Sequence, residues 1–385
     1  MVFEVTPAQK MLRDMVEDFC KKEIAPIAAE IDEQERFPAE TVRKMQELGL
    51  FGIPIAEKWD GVGAGYVGYC LAVEEIDKVC ASHAVIMAAH TSLVACPVER
   101  FGTEEQKEKY LRKLAGGPYI GAFALTEPGA GSDAANIKTS AVKQGDEYVL
   151  NGTKTWITNA NVADVFIVLA VTDPALGARG GVTAFLVEKG TEGLEIGALE
   201  KKLGIRGSTT TQVNLMDCRV PASNVLGNIG EGFVVAMQTL DLGRCILGAG
   251  CVGGATAALE LSVKYAKERV QFGEPIANKQ AIQFKLADMA TELHGGKLMV
   301  YDCAERIDKG ERVTRRSAMV KLYCSEMLHR AVNQALQIHG GMGYSRELPI
   351  ERMYRDARIT EIFEGTSEIQ RLVIAEDILK RGVGF

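Results

Sequence analysis

Residues 147–158, EYVLNGTKTWIT, are rich in β-branched and aromatic side chains, a composition typical of β-strands. The dipeptide Asn151-Gly152 inside this run tolerates the positive φ angles of a type I′ turn, so it predicts a hairpin at that point. Four further runs of the same texture, separated by Gly, Asn and Asp, lie around it: YIGAFALTE, DVFIVLAVTD, GVTAFLVEK and TTQVNLMDCRV. Together these runs predict a β domain over residues 119–230.

Helical periodicity replaces this pattern on both sides of the β domain. Apolar residues recur at helical spacing over residues 6–31, 39–48 and 67–79. Long helical patterns return after the β domain, and they are long enough to pack as an antiparallel bundle. The sequence therefore predicts an α+β protein, mainly α, with a helical domain at 1–118 and a helical bundle at 231–385.

The composition narrows the possible classes of function. At 385 residues the chain is long enough for two or three domains. Its 44 basic and 51 acidic residues give a net charge of -7 without a basic stripe, so nucleic acid is not an expected partner. The nine cysteines include no C-x-x-C pair and no cluster with histidine, which predicts reduced thiols and no metal site.

The N-terminus has neither an apolar h-region nor an arginine-rich presequence, and no uninterrupted apolar run reaches the ~20 residues of a membrane span. We therefore expect a soluble protein of the bacterial cytoplasm, without membrane insertion. A processed protein of the mitochondrial matrix would have the same pattern.

Two matches to G-x-G-x-x-G, at residues 63–68 and 248–253, do not predict a nicotinamide site. That fingerprint requires a buried strand before it and a βαβ frame, whereas the first match follows a polar turn and the second lies in a helical pattern. We interpret the second set of glycines as small residues that allow close helix packing. No P-loop, H-E-x-x-H or G-x-S-x-G motif occurs, so the sequence does not favour metal hydrolysis or serine catalysis.

The stretch IFEGTSEIQR, residues 362–371, sets Glu364 beside a glycine and small hydroxyl residues. This arrangement suits a base at a site where a ligand lies against the backbone. Ser367 and Gln370 have the S-x-x-Q spacing of a capping box, which predicts that the last helix begins there. A solvated surface charge is the alternative interpretation of Glu364.

Other segments also have an ordinary structural interpretation beside a functional one. GAFALTEPGAGSD, residues 121–133, ends a β run in a loop that either offers N–H groups and hydroxyls to a polar ligand or forms a plain turn. Trp156 suits either a ring system or the core. Asp241 and Arg244, at i and i+3 on a helix, can be a simple surface ion pair. QIHGGMGY, residues 337–344, interrupts a helix with three glycines, which as a local pattern is a C-cap and a turn.

The order and spacing of these segments resemble the acyl-CoA dehydrogenase family across the whole chain. The blocks ALTEPGAGSD, NGTKTWITN, RVQFGEPI, QIHGGMGY and ITEIFEGTSEIQR carry the resemblance. It implies an N-terminal helical domain, a middle β-barrel domain, a C-terminal four-helix bundle and FAD as the cofactor. It also implies a homotetramer built as a dimer of dimers.

The resemblance implies that Glu364 is the catalytic base, which removes the α-proton of an acyl-CoA thioester while the β-hydride passes to flavin N5. The backbone N–H of Glu364, with a ribityl hydroxyl of the flavin, would bind the thioester oxygen. Hydrogen-bond donors at the developing enolate would lower the barrier to removal of this proton. Exclusion of water would raise the pKa of the glutamate towards that of the polarised substrate. Electrons would pass to an electron-transferring flavoprotein. The implied substrate contacts are Ser132, Asp241, Arg244 and Gly365.

The resemblance also implies three groups of FAD contacts. The β domain would contribute Phe123, Leu125, Thr126, Gly131, Ser132, Trp156, Ile157 and Thr158. A neighbouring subunit would clamp the adenosine pyrophosphate end with Arg269, Gln271, Phe272, Gln280, Gln337, Ile338, Gly340 and Gly341, so that FAD binding would depend on assembly. The start of the last helix would contribute Thr366, Ser367 and Glu368.

Three observations favour a short, neutral acyl group, which would be converted to the trans-2-enoyl-CoA. Gly243 occupies the position where some family members carry their base on a different helix. The segment 84–94 has no arginine to pair with a distal carboxylate. The blocks AAHTSL, FGTEEQKEKYL and IQFKLADMA look most like short-chain and butyryl-CoA members.

Several alternatives stay open at this point. The substrate can be a branched, alicyclic or aromatic-substituted acyl-CoA. An oxygen-using oxidase or monooxygenase of the same fold, and a helical binding scaffold without chemistry, are the other classes of function.

Overall fold

The computed structural model describes residues 5–384, and its first third is helical as predicted. The first helix begins with a capping box, in which Thr6 Oγ1 accepts a hydrogen bond from the N–H of Gln9 while Gln9 Oε1 accepts one from the N–H of Thr6. Val16 and Phe19 are buried on its apolar face. The helices before the sheet are α1 (Pro7–Phe19), α2 (Ala28–Gln34), α3 (Ala39–Glu47), α4 (Gly65–Asp77), α5 (Ala81–His90), α6 (Cys96–Phe101), α7 (Glu104–Gln106) and α8 (Arg112–Ala115).

The middle of the chain forms one eight-stranded mixed sheet. Its strands are β1 (Gly121–Ala124), β2 (Ser140–Gln144), β3 (Glu147–Thr158), β4 (Val165–Val171), β5 (Val182–Glu188), β6 (Leu194–Leu199), β7 (Thr210–Pro221) and β8 (Val225–Leu226), with a kinked helical turn α9 (Ala178–Gly181) before β5. The strand order is β6-β7-β3-β2-β4-β5-β8, and β1 pairs in parallel with β4. The five predicted strand runs contain β1, β3, β4, β5 and β7, whereas β2, β6 and β8 were not predicted.

The prediction of a hairpin at Asn151-Gly152 is wrong. Strand β3 runs unbroken through both residues, and the turn from β2 lies earlier, at Gly145-Asp146. Gly152 lies instead at a register shift in the pairing of β3 with β7, where its φ is 156° and an added Cβ would lie 2.4 Å from Thr139 Oγ1. The positive φ of Gly152 therefore belongs to a β-bulge and not to a turn, because β3 continues as a strand between its two neighbours, β2 and β7.

Alternate side chains of β4 belong to two different cores. Phe166 and Val168 pack in a cluster formed by the sheet residues. Ile167 and Leu169 pack in a second cluster, which also contains residues of the N-terminal helices such as Tyr110. Successive side chains of a strand point to opposite faces of the sheet, so the N-terminal helices pack against the face that carries Ile167 and Leu169.

After the sheet the chain returns to helices. They are α10 (Gly232–Glu268), α11 (Gln280–Asp308), α12 (Thr314–His339), α13 (Gly341–Tyr344), α14 (Ile350–Ala357) and α15 (Ser367–Arg381), with a small hairpin of β9 (Val270–Gln271) and β10 (Glu274–Pro275) after α10. Helices α10, α11 and α12 pack on one another, and α15 packs on α12.

The second G-x-G-x-x-G match lies inside α10. A Cβ added to Gly248 would lie 2.2 Å from Val320 Cγ1, and one added to Gly253 would lie 2.3 Å from the carbonyl oxygen of Glu74. The interpretation of these glycines as positions of close helix packing is confirmed.

Two helical segments, residues 81–101 and 232–268, are long and apolar enough to cross a membrane by length and composition. Of their most apolar windows, 78% and 72% are buried within the protein. Core helices of soluble proteins share these properties, so the two segments are weak evidence for a membrane span.

Candidate active site

A cavity of about 2410 Å³ lies where the β domain meets the helices on both sides. It brings together residues that are distant in the chain, from the loop after β1, the end of β3, the first half of α10 and the loop before α15. Glu364 lies in that last loop and lines the cavity. The cavity is thus the place where most of the predicted site residues meet.

The backbone at Glu364 has a left-handed conformation, with φ of 53°, and Gly365 follows with φ of 89°. Such a conformation is costly for a residue with a side chain and persists only where the surroundings hold it. The helix after this loop begins one residue earlier than predicted, because Thr366 is the N-cap and accepts a hydrogen bond from the N–H of Ile369. The predicted capping box of Ser367 and Gln370 is therefore wrong.

Gln370 and Arg244 hold this loop instead. Gln370 Nε2 donates to the carbonyl oxygens of Glu364, at 3.1 Å, and Gly365, at 3.0 Å. Arg244 Nε donates to the same Glu364 carbonyl at 3.2 Å. The backbone N–H of Glu364 makes no hydrogen bond to any residue of the range 5–384. These hydrogen bonds fix the two peptide groups that follow Glu364. The N–H of Glu364, in the peptide group before it, stays available as a donor.

The carboxylate of Glu364 is partly buried, and its Oε2 atom has no hydrogen-bond partner among the described residues. Burial raises the pKa of Glu364 to about 7, while the nearby cations of Arg244 and Lys321 act in the opposite direction. A carboxylate with this pKa takes up and releases a proton near neutral pH, as a general base must.

Gly243 on α10 provides the space for this carboxylate. A Cβ added at Gly243 would lie 2.6 Å from Glu364 Oε2 and 3.0 Å from Leu93 Cδ2. Any residue larger than glycine would therefore push the carboxylate out of its position.

Asp241 and Arg244 form a buried pair rather than a surface pair. Arg244 is 5% exposed, and its Nη1 donates to Asp241 Oδ1 at 3.0 Å. Thr314 donates to the other carboxylate oxygen of Asp241 at 2.6 Å. The interpretation as a simple surface ion pair is therefore wrong, and the pair orients Arg244 towards the Glu364 loop.

The loop after β1 is held by a second buried ion pair, which sequence reasoning missed. Lys154 is 0% exposed, and its Nζ donates to Glu127 Oε1 at 2.7 Å and to the carbonyl oxygen of Leu125 at 3.0 Å. Glu127 also accepts hydrogen bonds from the N–H groups of Lys138 and Thr139. In the sequence, the one indication of this pair is that Glu127 and Lys154 each lie in or beside a run of residues typical of a β-strand.

The structure brings together most of the residues expected to contact the flavin ring and the substrate. Trp156 is 58% exposed, has φ of 60° and lies at a register shift in β3, so its indole projects into the cavity. Apart from its two chain neighbours, none of the described residues comes within 4 Å of a Cβ added at Gly131, which leaves open space beside the loop. The predicted residues that line the cavity are Phe123, Leu125, Thr126, Gly131, Ser132, Trp156, Ile157, Thr158, Asp241, Arg244, Glu364, Gly365 and Thr366.

The other predicted contacts do not line this cavity. They are Arg269, Gln271, Phe272, Gln280, Gln337, Ile338, Gly340, Gly341, Ser367 and Glu368. Phe272 is 93% exposed at the turn between β9 and β10, whereas Ile338 is only 4% exposed and packs in the helical core. Ser367 is 5% exposed, and its Oγ has no hydrogen-bond partner among residues 5–384.

Lys321 of α12 is a further charged residue near the base that the sequence did not reveal. It is 0% exposed, and its Nζ makes no hydrogen bond to any described residue. Burial lowers the pKa of Lys321 to about 8, although the nearby Glu364 favours its charged form. Nothing in the local sequence distinguishes it from a surface lysine.

Known proteins resemble this chain over nearly its whole length. Family models described as the acyl-CoA dehydrogenase N-terminal, middle and C-terminal domains match residues 6–118, 122–218 and 230–379. The chain is 52% identical to the probable acyl-CoA dehydrogenase YngJ of Bacillus subtilis, over 99% of this chain and 100% of that protein.

Two solved structures have closely similar folds. Butyryl-CoA dehydrogenase from Megasphaera elsdenii is 42% identical with a TM-score of 0.97, covering 98% of this chain and 100% of that one. A chain in the structure of the electron transferring flavoprotein of Acidaminococcus fermentans is 43% identical with a TM-score of 0.97, covering 99% and 100%. The chain therefore belongs to the acyl-CoA dehydrogenase family.

Proposed function

We propose that this protein converts a short, neutral acyl-CoA to its trans-2-enoyl-CoA, with Glu364 as the base that removes the α-proton. The observation that carries the proposal is that Glu364, beside the cavity, has both a carboxylate oxygen and a backbone N–H without a hydrogen-bond partner among residues 5–384. A proton acceptor and a donor for the thioester oxygen are the two groups that α-proton removal requires.

Acyl-CoA dehydrogenases are FAD-dependent oxidoreductases, and the residues of this cavity fit that cofactor. The loop after β1 offers free space at Gly131 and an exposed hydroxyl at Ser132, and Trp156 presents a large flat ring to the cavity. These groups would hold the flavin, with Thr126 and Thr158 as further hydroxyls. When bound, FAD supplies the acceptor for the β-hydride.

The protein contributes to the reaction by holding a proton acceptor and a donor in fixed positions. Arg244 and Gln370 bind the Glu364 carbonyl oxygen, so the peptide N–H on the other side of that residue is restrained before substrate arrives. A fixed donor aimed at the developing negative charge of the enolate lowers the barrier without a cost of reorganisation. Because burial raises the pKa of Glu364 to about 7, the carboxylate is also a strong enough base for a polarised α-proton.

The preference for a neutral acyl group is supported by the part of α5 that lines the cavity. Helix α5 contributes Ala84, Val85, Ala88 and Ala89 to its lining, and none of these can pair with a distal carboxylate. The similarity to butyryl-CoA dehydrogenase supports a short chain. The domain limits 1–118, 119–230 and 231–385 stay a prediction.

We further propose that the eight expected adenosine-end contacts serve the FAD of a neighbouring subunit in a homotetramer. Several aromatic and apolar side chains of the C-terminal half are largely exposed in the monomer, among them Phe272 at 93%, Tyr344 at 83% and Leu379 at 86%. Exposed apolar groups of this kind mark interfaces. An electron-transferring flavoprotein as acceptor and a cytoplasmic location belong to the same proposal.

The test is anaerobic titration of the FAD-loaded protein with butyryl-CoA, followed by loss of flavin absorbance. We expect the unmodified protein to bleach and Glu364→Gln to keep FAD and bind butyryl-CoA but to bleach several orders of magnitude more slowly, because an amide cannot accept the proton. Glu361→Gln, which alters a carboxylate paired with Arg358 in the turn just before this loop, is the matched control and should bleach normally. Bleaching of Glu364→Gln at the unmodified rate would exclude Glu364 as the base.

A further inference from the structure

The cavity continues past the base along one face of α10. Gly243 adjoins Glu364, and Leu247, Gly250 and Gly254 follow at the helical spacing i+4, i+7 and i+11, which places all four on the same face. The last three line the cavity, as does Cys251. Opposite this face, α4 and α5 contribute Asp77, Ala84 and Ala88 among other residues.

Asp77, the last residue of α4, lies across from the two distal glycines. A Cβ added to Gly250 would be 2.9 Å from Asp77 Oδ2, and one added to Gly254 would be 3.0 Å from Asp77 Oδ1. The carboxylate therefore lies directly over α10, at a place where only glycine leaves room for it.

The carboxylate of Asp77 makes no hydrogen bond or ion pair with any residue in the range 5–384. Its neighbour Lys78 is paired with Glu75 at 3.2 Å instead. Burial raises the pKa of Asp77 well above its ordinary value, and the like charge of Asp356 acts to raise its pKa further. Asp77 is half-buried and lines the cavity, so a ligand that displaces the water around this carboxylate has to supply a hydrogen-bond donor in its place.

We propose, on the basis of the proposed function, that Asp77 binds a hydrogen-bond donor at the far end of the acyl group. Besides short neutral acyl groups, the site would then accept longer acyl-CoAs whose chain ends in a hydroxyl or an ammonium group, and it would prefer these to acyl-CoAs of the same length without such a group. A terminal carboxylate would offer Asp77 no hydrogen-bond donor, and residues 84–94 contain no arginine to pair with it.

The spacing on α10 gives the length of such an acyl group. Gly250 and Gly254 lie about 10 and 16 Å beyond Gly243 along the helix axis. The α-carbon must lie about 3 Å from Glu364, and a donor must lie about 3 Å from Asp77. The remaining distance is about 4–10 Å, which an extended chain covers in roughly 4–8 bonds at ~1.2 Å per bond. A donor atom on the eighth carbon lies seven bonds from the α-carbon, which is within this range.

The test compares octanoyl-CoA, 8-hydroxyoctanoyl-CoA and 8-aminooctanoyl-CoA as substrates of the FAD-loaded protein. We expect kcat/KM for at least one of the two polar substrates to exceed that for octanoyl-CoA by about tenfold or more. Asp77→Leu should bring this ratio to one or below. Asp77→Asn separates the two sources of the donor, since it should abolish a preference for the ammonium group but keep part of a preference for the hydroxyl.

Asp146→Asn, at the exposed turn between β2 and β3, is the control for loss of a carboxylate and should keep the unmodified ratio. FAD content reports whether each variant has folded, and the ratio in the unmodified protein tests the inference without any variant. If octanoyl-CoA is used as well as both polar substrates, or if Asp77→Leu keeps the preference, the inference is wrong while the proposed function stands. If butyryl-CoA also fails to bleach the flavin, the proposed function falls and this inference falls with it.

Discussion

Replacement of Gly243 by alanine tests the position of the base without changing any charged or polar group. The added methyl carbon would lie 2.6 Å from Glu364 Oε2 and 3.3 Å from Glu364 Cδ. Ordinary contacts between non-bonded heavy atoms begin near 3.5 Å. The carboxylate is the end of a flexible side chain, so it should move away rather than distort α10, by roughly 1 Å.

The effects on stability and on chemistry should therefore separate. Alanine is favoured over glycine inside a helix by about 1 kcal/mol, which offsets part of the cost of the new contact. A displacement of about 1 Å in a catalytic group costs on the order of 100-fold in rate. We expect Gly243→Ala to fold, to bind FAD and to unfold near the unmodified temperature, while its flavin is bleached about 100 times more slowly by butyryl-CoA.

The assay is stopped-flow bleaching without oxygen, with thermal unfolding measured on the same samples. Gly295→Ala is a suitable control because it adds a methyl group to α11 outside the cavity, where the nearest atom is Tyr323 Oη at 3.1 Å. This control should bleach at the unmodified rate. If the loaded and stable Gly243→Ala protein also bleached at the unmodified rate, the carboxylate of Glu364 would not lie against Gly243 in the reacting state.

Three further predictions concern the charges around the site. The rate of bleaching should rise with pH through about 7 and then level off, because Glu364 must be deprotonated and burial raises its pKa to about 7. Arg244→Gln should move this profile to higher pH, since the cation that lowers the pKa of Glu364 is lost, and an unmoved profile would contradict the assignment. Lys154→Met should destabilise the fold by about 3–5 kcal/mol in denaturant unfolding because Glu127 is left buried without its partner. The double variant with Glu127→Gln should recover much of that loss, and an unchanged midpoint for Lys154→Met would show that the pair is not buried in solution.

Short-range sequence patterns predicted the classes of element correctly but misplaced details that depend on pairing. Strands β3 and β4 were recognisable because their side chains must suit a pleated, buried surface. The signal of Asn151-Gly152 was assigned to the wrong feature, since a turn and a bulge require similar backbone angles and only the neighbouring strands decide between them. The N-cap at Thr366 was missed by one residue because Thr and Ser have similar capping ability.

The candidate base could be recognised in the sequence because it lies within one short characteristic segment. The residues that surround it could not be recognised, because they come from distant parts of the chain. Arg244 lies 120 residues before Glu364 in the chain, and their contact exists only because α10 packs beside the loop. Lys321, Gly243 and Asp77 likewise act through neighbours that are distant in sequence. A single sequence contains no measure of such contacts, so the electrostatics of the site could not be derived from it.

Helix α10 couples the position of the base to the depth of the acyl site. Gly243 makes room for Glu364, and Gly250 and Gly254 make room for Asp77, so the distance between the two carboxylates is fixed by the rise of one helix. An insertion or deletion of one residue between Gly243 and Gly250 would rotate the distal glycines by about 100° and remove them from the face that lines the cavity. Changes in chain-length preference can therefore arise from side chains on this face, at residues such as Leu247 and Cys251, but not from a change in the length of α10. The base would keep its position under such side-chain changes, because the contacts that hold its loop come from Arg244 and Gln370 and involve neither Leu247 nor Cys251.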